Sequence, residues 1–194
     1  MVAVAIVGGL VLFSLRNSLI ERDEAAIGAW AQVESAAQRR FDLTGPLVEV
    51  VQAAAANEKE VLSAIVDARQ RVFETQREAE SALGNEATGD GEAARLIAVA
   101  SRAMRSFLTV TVEAYPQITA TDAFVTLQKQ LEGSENRIHV ARLRFNDEVR
   151  DLNAMIRKWG FLPLCGGVDA RAPFAADTGA DAPVELGLVK ADEK

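Results

Sequence analysis

One pattern limits what this chain can fold into. Phe124, Leu127, Leu131, Ser134, Ile138, Ala141, Phe145, Val149, Leu152, Ile156 and Trp159 recur at spacings of three and four. An α-helix turns once every 3.6 residues, so these side chains share one stripe, which no strand can present. A helix this long with one apolar stripe is held in place by packing rather than by propensity, so other helices must cover it. Thr121 or Asp122 caps its start, and Gly160 and Pro163 end it. The repeat takes two steps of four around Phe145, a stutter that predicts local straightening.

The covering segments are upstream. Ile27, Trp30, Val33, Ala37 and Phe41 give a first helix from Leu19 to about Phe41. Gly45-Pro46 then breaks the pattern as a turn or a strong kink, with Thr44 as a cap. Leu47, Val51, Ala54, Val61, Ile65, Ala68, Val72 and Ala79 predict a second helix from Pro46 to about Leu83. Glu58 occupies a seam position there, either as a rim glutamate leaning to water or as a buried acid paired with an arginine or asparagine. The run GNEATGDG, Gly84 to Gly91, is a loop. A third helix spans Glu92 to about Ala114 and stops at Tyr115-Pro116. The expected fold is all-α, an antiparallel up-and-down four-helix bundle over residues 19–160, with its second and fourth helices the longer ones. Residues 161–194 are rich in Gly, Ala, Asp and Pro and read as an irregular tail, partly docked through Phe161, Leu164 and Phe174 and disordered at its end.

Ahead of the bundle, Met1 to Leu15 carry no charged side chain. Residues 1–18 are expected to form a single transmembrane anchor, with Arg16 snorkelling and Leu19-Ile20 extending the span. A cleaved signal peptide and a buried core helix are the competing readings. The first is disfavoured because no basic segment precedes the run and no small-x-small site follows it. The short run without a basic flank also fits a true start upstream of Met1. Arg16 and Arg22 after the run are expected to place the domain on the cytoplasmic side of the membrane.

Several functions are disfavoured by composition. A net charge of −7 and the lack of a basic block argue against nucleic acid as a partner. One cysteine, Cys165, excludes an internal disulfide. One histidine, His139, four residues after Glu135, is far from the paired Glu-x-x-His of di-metal bundles. No metal, cofactor or catalytic group is therefore expected. Two polar features stand out. Glu135 and Asn136 follow seam residue Ser134 and can reach Arg39, Arg40 or Glu58, forming an interhelical cluster that fixes register. Arg137, Arg142, Arg144 and Arg150 make the outer face of the last helix basic. This is a solvated face with pairs such as Asn146–Arg150 and Arg144–Glu148, or an interaction face for an acidic partner or lipid headgroups.

An ordered set of residues also resembles the LemA family. It comprises Ala114-Tyr115-Pro116, Ile118, Ala120, Phe124, Leu127-Gln128, Leu131-Glu132, Glu135-Asn136, Ile138, Arg142, Phe145-Asn146, Val149 and Asn153. Upstream, Trp30 with Gln32, Arg39-Arg40, Asp42-Leu43, Pro46, Leu47-Val48 and Val51 are similar to the family's pattern, as are Glu58, Glu60, Val66 and Ala68-Arg69. The chain departs from it at Ala53 to Asn57, where an aromatic-x-x-His is usual, at Phe145 for a usual Tyr, and in its tail. The resemblance implies a bacterial membrane protein with an N-terminal span, an up-and-down bundle and no established enzymatic activity. It also implies membrane-protein partners, and some relatives belong to magnetosome membranes. The function expected is a non-catalytic, membrane-anchored scaffold or assembly protein, with homo-oligomers allowed. The alternatives are an accessory to a neighbouring membrane protease or transporter in envelope stress, or a magnetosome-membrane protein in organelle or crystal formation.

Overall fold

A computed structural model of the chain describes residues 1–55, 62–85, 88–159 and 167–174. Helix α1 spans Val2–Phe41, α2 Thr44–Ala55, α3 Leu62–Ala82, α4 Gly89–Ala114 and α5 Asp122–Trp159, with a 3-10 turn at Pro116–Ala120 before α5. The described residues contain no strand. Thr121 caps α5 as its sequence suggests, its Oγ1 accepting the N–H of Phe124 at 3.4 Å.

Gly45-Pro46 lies in the first turn of α2, after a short interruption at Asp42-Leu43, and this corrects the expected helix boundaries. Asp42 keeps right-handed helical dihedrals, φ −59° and ψ −23°. The N–H of Asp42 reaches the Gln38 carbonyl at 3.0 Å, that of Leu43 the Arg40 carbonyl at 3.1 Å, and that of Leu47 the Leu43 carbonyl at 3.1 Å. The path stays helical while Pro46, which has no N–H, leaves one rung out. Helices α1 and α2 therefore form one nearly continuous rod. Helix α3 then runs in the opposite direction to this rod. The single second helix expected over Pro46 to Leu83 is two elements, α2 continuing α1 and α3 running back. Apolar periodicity hid this because both pieces face the same core. Among the described residues α3 has 21 residues and α4 has 26, so the length assigned to one second helix is divided between the first rod and α3.

Cross-helix pairs give the directions. Arg22 lies beside Asp151, Gln32 beside Arg144 and Arg40 beside Glu135, so α1 and α5 are antiparallel. Gln76 donates to the Phe41 carbonyl at 3.4 Å and the Gly84 N–H to Glu34 at 3.0 Å, so α3 is antiparallel to α1. With α4 antiparallel to α3, the order is up, down, up, down.

The core has two parts. Near the N-terminal run, Trp30, Val33, Phe41, Ile97, Phe145, Val149 and Leu152 pack with many alanines, including Ala26, Ala37, Ala79 and Ala100. Small side chains let helix axes approach closely. Farther away, Leu47, Val51, Ile65, Val72, Met104, Phe107, Tyr115, Ile118, Phe124 and Leu131 form a bulkier cluster. A polar level lies near their junction on every rod: Arg40 on α1, Gln76 on α3, Ser101 on α4, Ser134 and Glu135 on α5.

The first turns of α1 are largely uncovered by the described residues: Val4, Leu10 and Phe13 are 75%, 64% and 72% exposed, and the first buried residue is Leu19. This end is the one place among the described residues where a helix is long and apolar enough to cross a membrane. No break separates it from the bundle.

Two substitutions test this packing. Phe145, fully buried with its ring centroid 5.1 Å from that of Trp30, should cost about 3–5 kcal/mol on Phe145→Ala in urea unfolding. Gly133 lies in the interior of α5 with open space around an added Cβ, so Gly133→Ala should stabilise by roughly 0.5–1 kcal/mol. A loss on Gly133→Ala would contradict the packing described.

Candidate functional site

The polar level centres on Arg40, the largest side chain that is fully buried, 1% exposed. Its Nη1 donates to Glu135 Oε1 at 2.9 Å and to Ser101 Oγ, and its Nη2 to the Ile97 carbonyl at 3.5 Å. Ser101 Oγ in turn donates to the Ile97 carbonyl at 2.8 Å. Burial pulls the guanidinium below its usual pKa, and the charge and hydrogen bond of Glu135 partly offset this. One side chain thus ties α1, α4 and α5 at one height. The Nε of Arg40 and the Oε1 of Gln76 are buried without a partner among the described residues.

Of the residues expected to cluster, the structure brings together Arg40 and Glu135. Arg39 and Asn136 are exposed and stand outside the cluster. Neighbours on a helix point about 100° apart, so only one of Arg39 and Arg40, and one of Glu135 and Asn136, can face the centre. Glu58 lies outside the described residues. Ser101, reached at a separation of 61 residues, had no sequence signal.

Arg39 and Asn136 line a different feature, an open groove between α1 and α5 of about 470 Å³. Ala31, Gln32, Ser35 and Ala36 form its α1 wall with Arg39; Arg137, Val140, Ala141 and Arg144 form its α5 wall with Asn136. Three arginines and no carboxylate line it. Arg144 donates to Gln32 Oε1 at 3.3 Å, while Arg39 and Arg137 have no ion pair among the described residues. Nearer the N-terminal run the same cleft is walled by Asp147 and Glu148, so its basic character is local. Arg142 and Arg150 are not part of this groove. Arg142 stacks on the Phe174 ring, 4.1 Å from its centroid, and Arg150 pairs with Asp147 at 2.9 Å and Asp151 at 3.6 Å. The pairs expected on this face, Asn146–Arg150 and Arg144–Glu148, are replaced by these contacts.

Asn146 serves the tail instead. Residues 167–174 lie along the bundle without regular structure. Asn146 accepts the Phe174 N–H at 2.7 Å and donates to its carbonyl at 3.2 Å. Asn153 does the same with Arg171, at 3.0 and 2.8 Å. Arg171 pairs with Asp23 of α1 at 3.0 Å and Asp90 of α4 at 2.7 Å. Burial disfavours its charge, but the hydrogen bonds with Asp90 and Asp23 outweigh that and raise its pKa. A raised cation pKa adds stability below the unfolded value, and that contribution disappears only as pH rises through the folded value, so these pairs persist at neutral pH. Phe174 is docked as expected; Phe161 and Leu164 lie outside the described residues. His139 is exposed on α5, and no cluster of three or more His, Cys, Asp or Glu suited to a metal occurs among the described residues.

An unpacked apolar helix running without a break into an up-and-down bundle, pinned by one buried guanidinium, defines a helical-bundle protein with a single N-terminal candidate span. The LemA family model matches residues 29–166, well over half of the sequence, and the chain belongs to the LemA family. No curated protein matches it.

The two halves of the Glu135-Asn136 pair should respond differently. Glu135→Ala strands a buried cation and should cost about 2–3 kcal/mol, reduced from the fully buried case because Glu135 is 25% exposed. Asn136→Ala should lie within about 0.5 kcal/mol of wild type in urea unfolding. Equal effects would contradict the separation of roles.

Proposed function

We propose that this LemA-family chain is a non-catalytic, membrane-anchored scaffold that docks an acidic helical segment of a partner membrane protein in the α1–α5 groove. The groove itself supports this: three arginines, two of them without an ion pair among the described residues, gathered in a chain of net charge −7. Unneutralised like charges at one place are a cost that an anionic partner relieves. Small side chains along α1 and Val140 of α5 leave a floor onto which a helix can pack.

The span supports a protein partner over a lipid one. From Ile20 to Ser35 is 15 residues of unbroken α1, about 22 Å at 1.5 Å per residue. With α1 upright, the groove stands well above lipid headgroups. In this reading the anchor lies in the inner membrane of a bacterium, and the arginines after the span hold the bundle on the cytoplasmic side. The candidate residues offer no nucleophile with an adjacent base, which is why catalysis is not part of the proposal.

A photocrosslinking residue in place of Val140, in the full chain in native membranes, tests this. The expected adduct is a protein with an acidic helical segment, reduced at least tenfold by Arg137→Glu with Arg144→Glu at unchanged helicity. No more adduct than from the same group in place of Glu74 on α3 would refute the docking surface.

A further inference from the structure

The C-terminal segment is held in the manner of a bound peptide. Each of two asparagines grips both backbone groups of one residue: Asn153 those of Arg171, Asn146 those of Phe174. Asn146 and Asn153 are two turns apart on one face of α5, about 10.5 Å. Three residues of extended chain cover about 9–10 Å. The helix therefore presents two rungs fitted to an extended backbone running antiparallel to it. Side-chain amides that bind only N–H and C=O read no sequence; selectivity rests on the two pockets beside them. One is acidic, Asp23 with Asp90, and takes the Arg171 guanidinium. The other is aromatic, and takes Phe174 against Trp30 with the Arg142 guanidinium over its ring. Gly91 leaves space where Ala172 passes: an added Cβ there would sit 3.5 Å from the Ala172 Cβ.

We propose that this surface is a binding site for extended peptide segments with an arginine and, three residues on, a phenylalanine, and that residues 171–174 fill it as a tethered ligand which a partner segment of the same chemistry displaces. The segment bound there defines the ligand chemistry. Its grip is separable from the fold: of the described tail, only Phe174 and Val168 join the core, and direct helix-to-helix ties such as Arg40–Glu135 and Gln76 to the Phe41 carbonyl hold the rods without it. The segment also lies beyond the residues matched to the family. Displacement exchanges one set of amide and guanidinium contacts for an identical set, so tethering raises the concentration a competitor needs but creates no barrier of its own.

The test uses the full chain in detergent and a fluorescent peptide with the sequence of residues 168–174, followed by anisotropy. Arg171→Ala with Phe174→Ala empties both pockets; this variant should bind the peptide saturably and at least tenfold more tightly than wild type, while a scrambled peptide should not bind. A second pair of measurements avoids weakening the strap. Gly91→Cys with Ala172→Cys, in a Cys165→Ser background, places the new Cβ atoms at a distance suited to a disulfide. Oxidised, this protein should refuse the peptide; reduced, it should accept it at high concentration. A helical emptied variant that ignores the peptide, or equal binding by the oxidised and reduced forms, would overturn the proposal. A covalent dimer on oxidation would also overturn it, in favour of strap exchange between two copies.

Discussion

A guanidinium buried at the middle of a helical bundle must find acceptors, and the rest of this structure is arranged around how Arg40 finds them. Its partners come from α4 and α5, so one side chain fixes the height of three rods against one another. Apolar stripes cannot do this alone. A stripe repeating every three or four residues packs nearly as well after a slip of one turn, whereas a displaced Arg40 would lose Glu135 and remain buried. The ion pair thus adds little to stability compared with an apolar replacement, but it penalises every other register. Above and below it the core is free to differ, alanine-rich on the side of the apolar run and bulky on the other.

The surface features inherit that register. Arg39 and Arg137 are one and two residues from the buried pair, so fixing Arg40 against Glu135 also sets Arg39 opposite Arg137 across the α1–α5 groove. On α5 each residue turns about 100°, which places positions 144 and 146 on opposite flanks of buried Phe145. One flank lines the basic groove and the other carries the asparagine that grips the tail. A single long helix therefore separates two surfaces, one open and cationic, one filled by the chain itself.

Periodicity made the bundle legible, and for a physical reason: burial of α5 leaves its mark at every third or fourth residue, from Phe124 to Leu152. The same signal failed between Leu47 and Ala79. It reports which face is buried, not which way the chain runs, so a reversal that keeps the face looks like one helix. The arginine–glutamate pair was legible as chemistry but not as geometry, because Arg39 and Arg40 are equivalent until the helix phase is known. Ser101 and the clamp of Asn146 and Asn153 had no local signature. Their partners lie 61, 28 and 18 residues away, and polar side chains at helix surfaces ordinarily face water. The seven-residue spacing of the two asparagines was the available clue, and it gains meaning only beside an extended segment of matching rise.

The most direct test of the register argument is a double-mutant cycle on the central pair, with Arg40→Met and Glu135→Leu made singly and together and unfolding free energies measured in urea. Each single change leaves a polar or mismatched partner in the core, while the double change restores an apolar level. The expected coupling energy is at least about 1.5 kcal/mol, with the double variant more stable than Glu135→Leu alone. Effects that add to within about 0.5 kcal/mol would mean that Arg40 and Glu135 act independently, and the register would have to be set elsewhere.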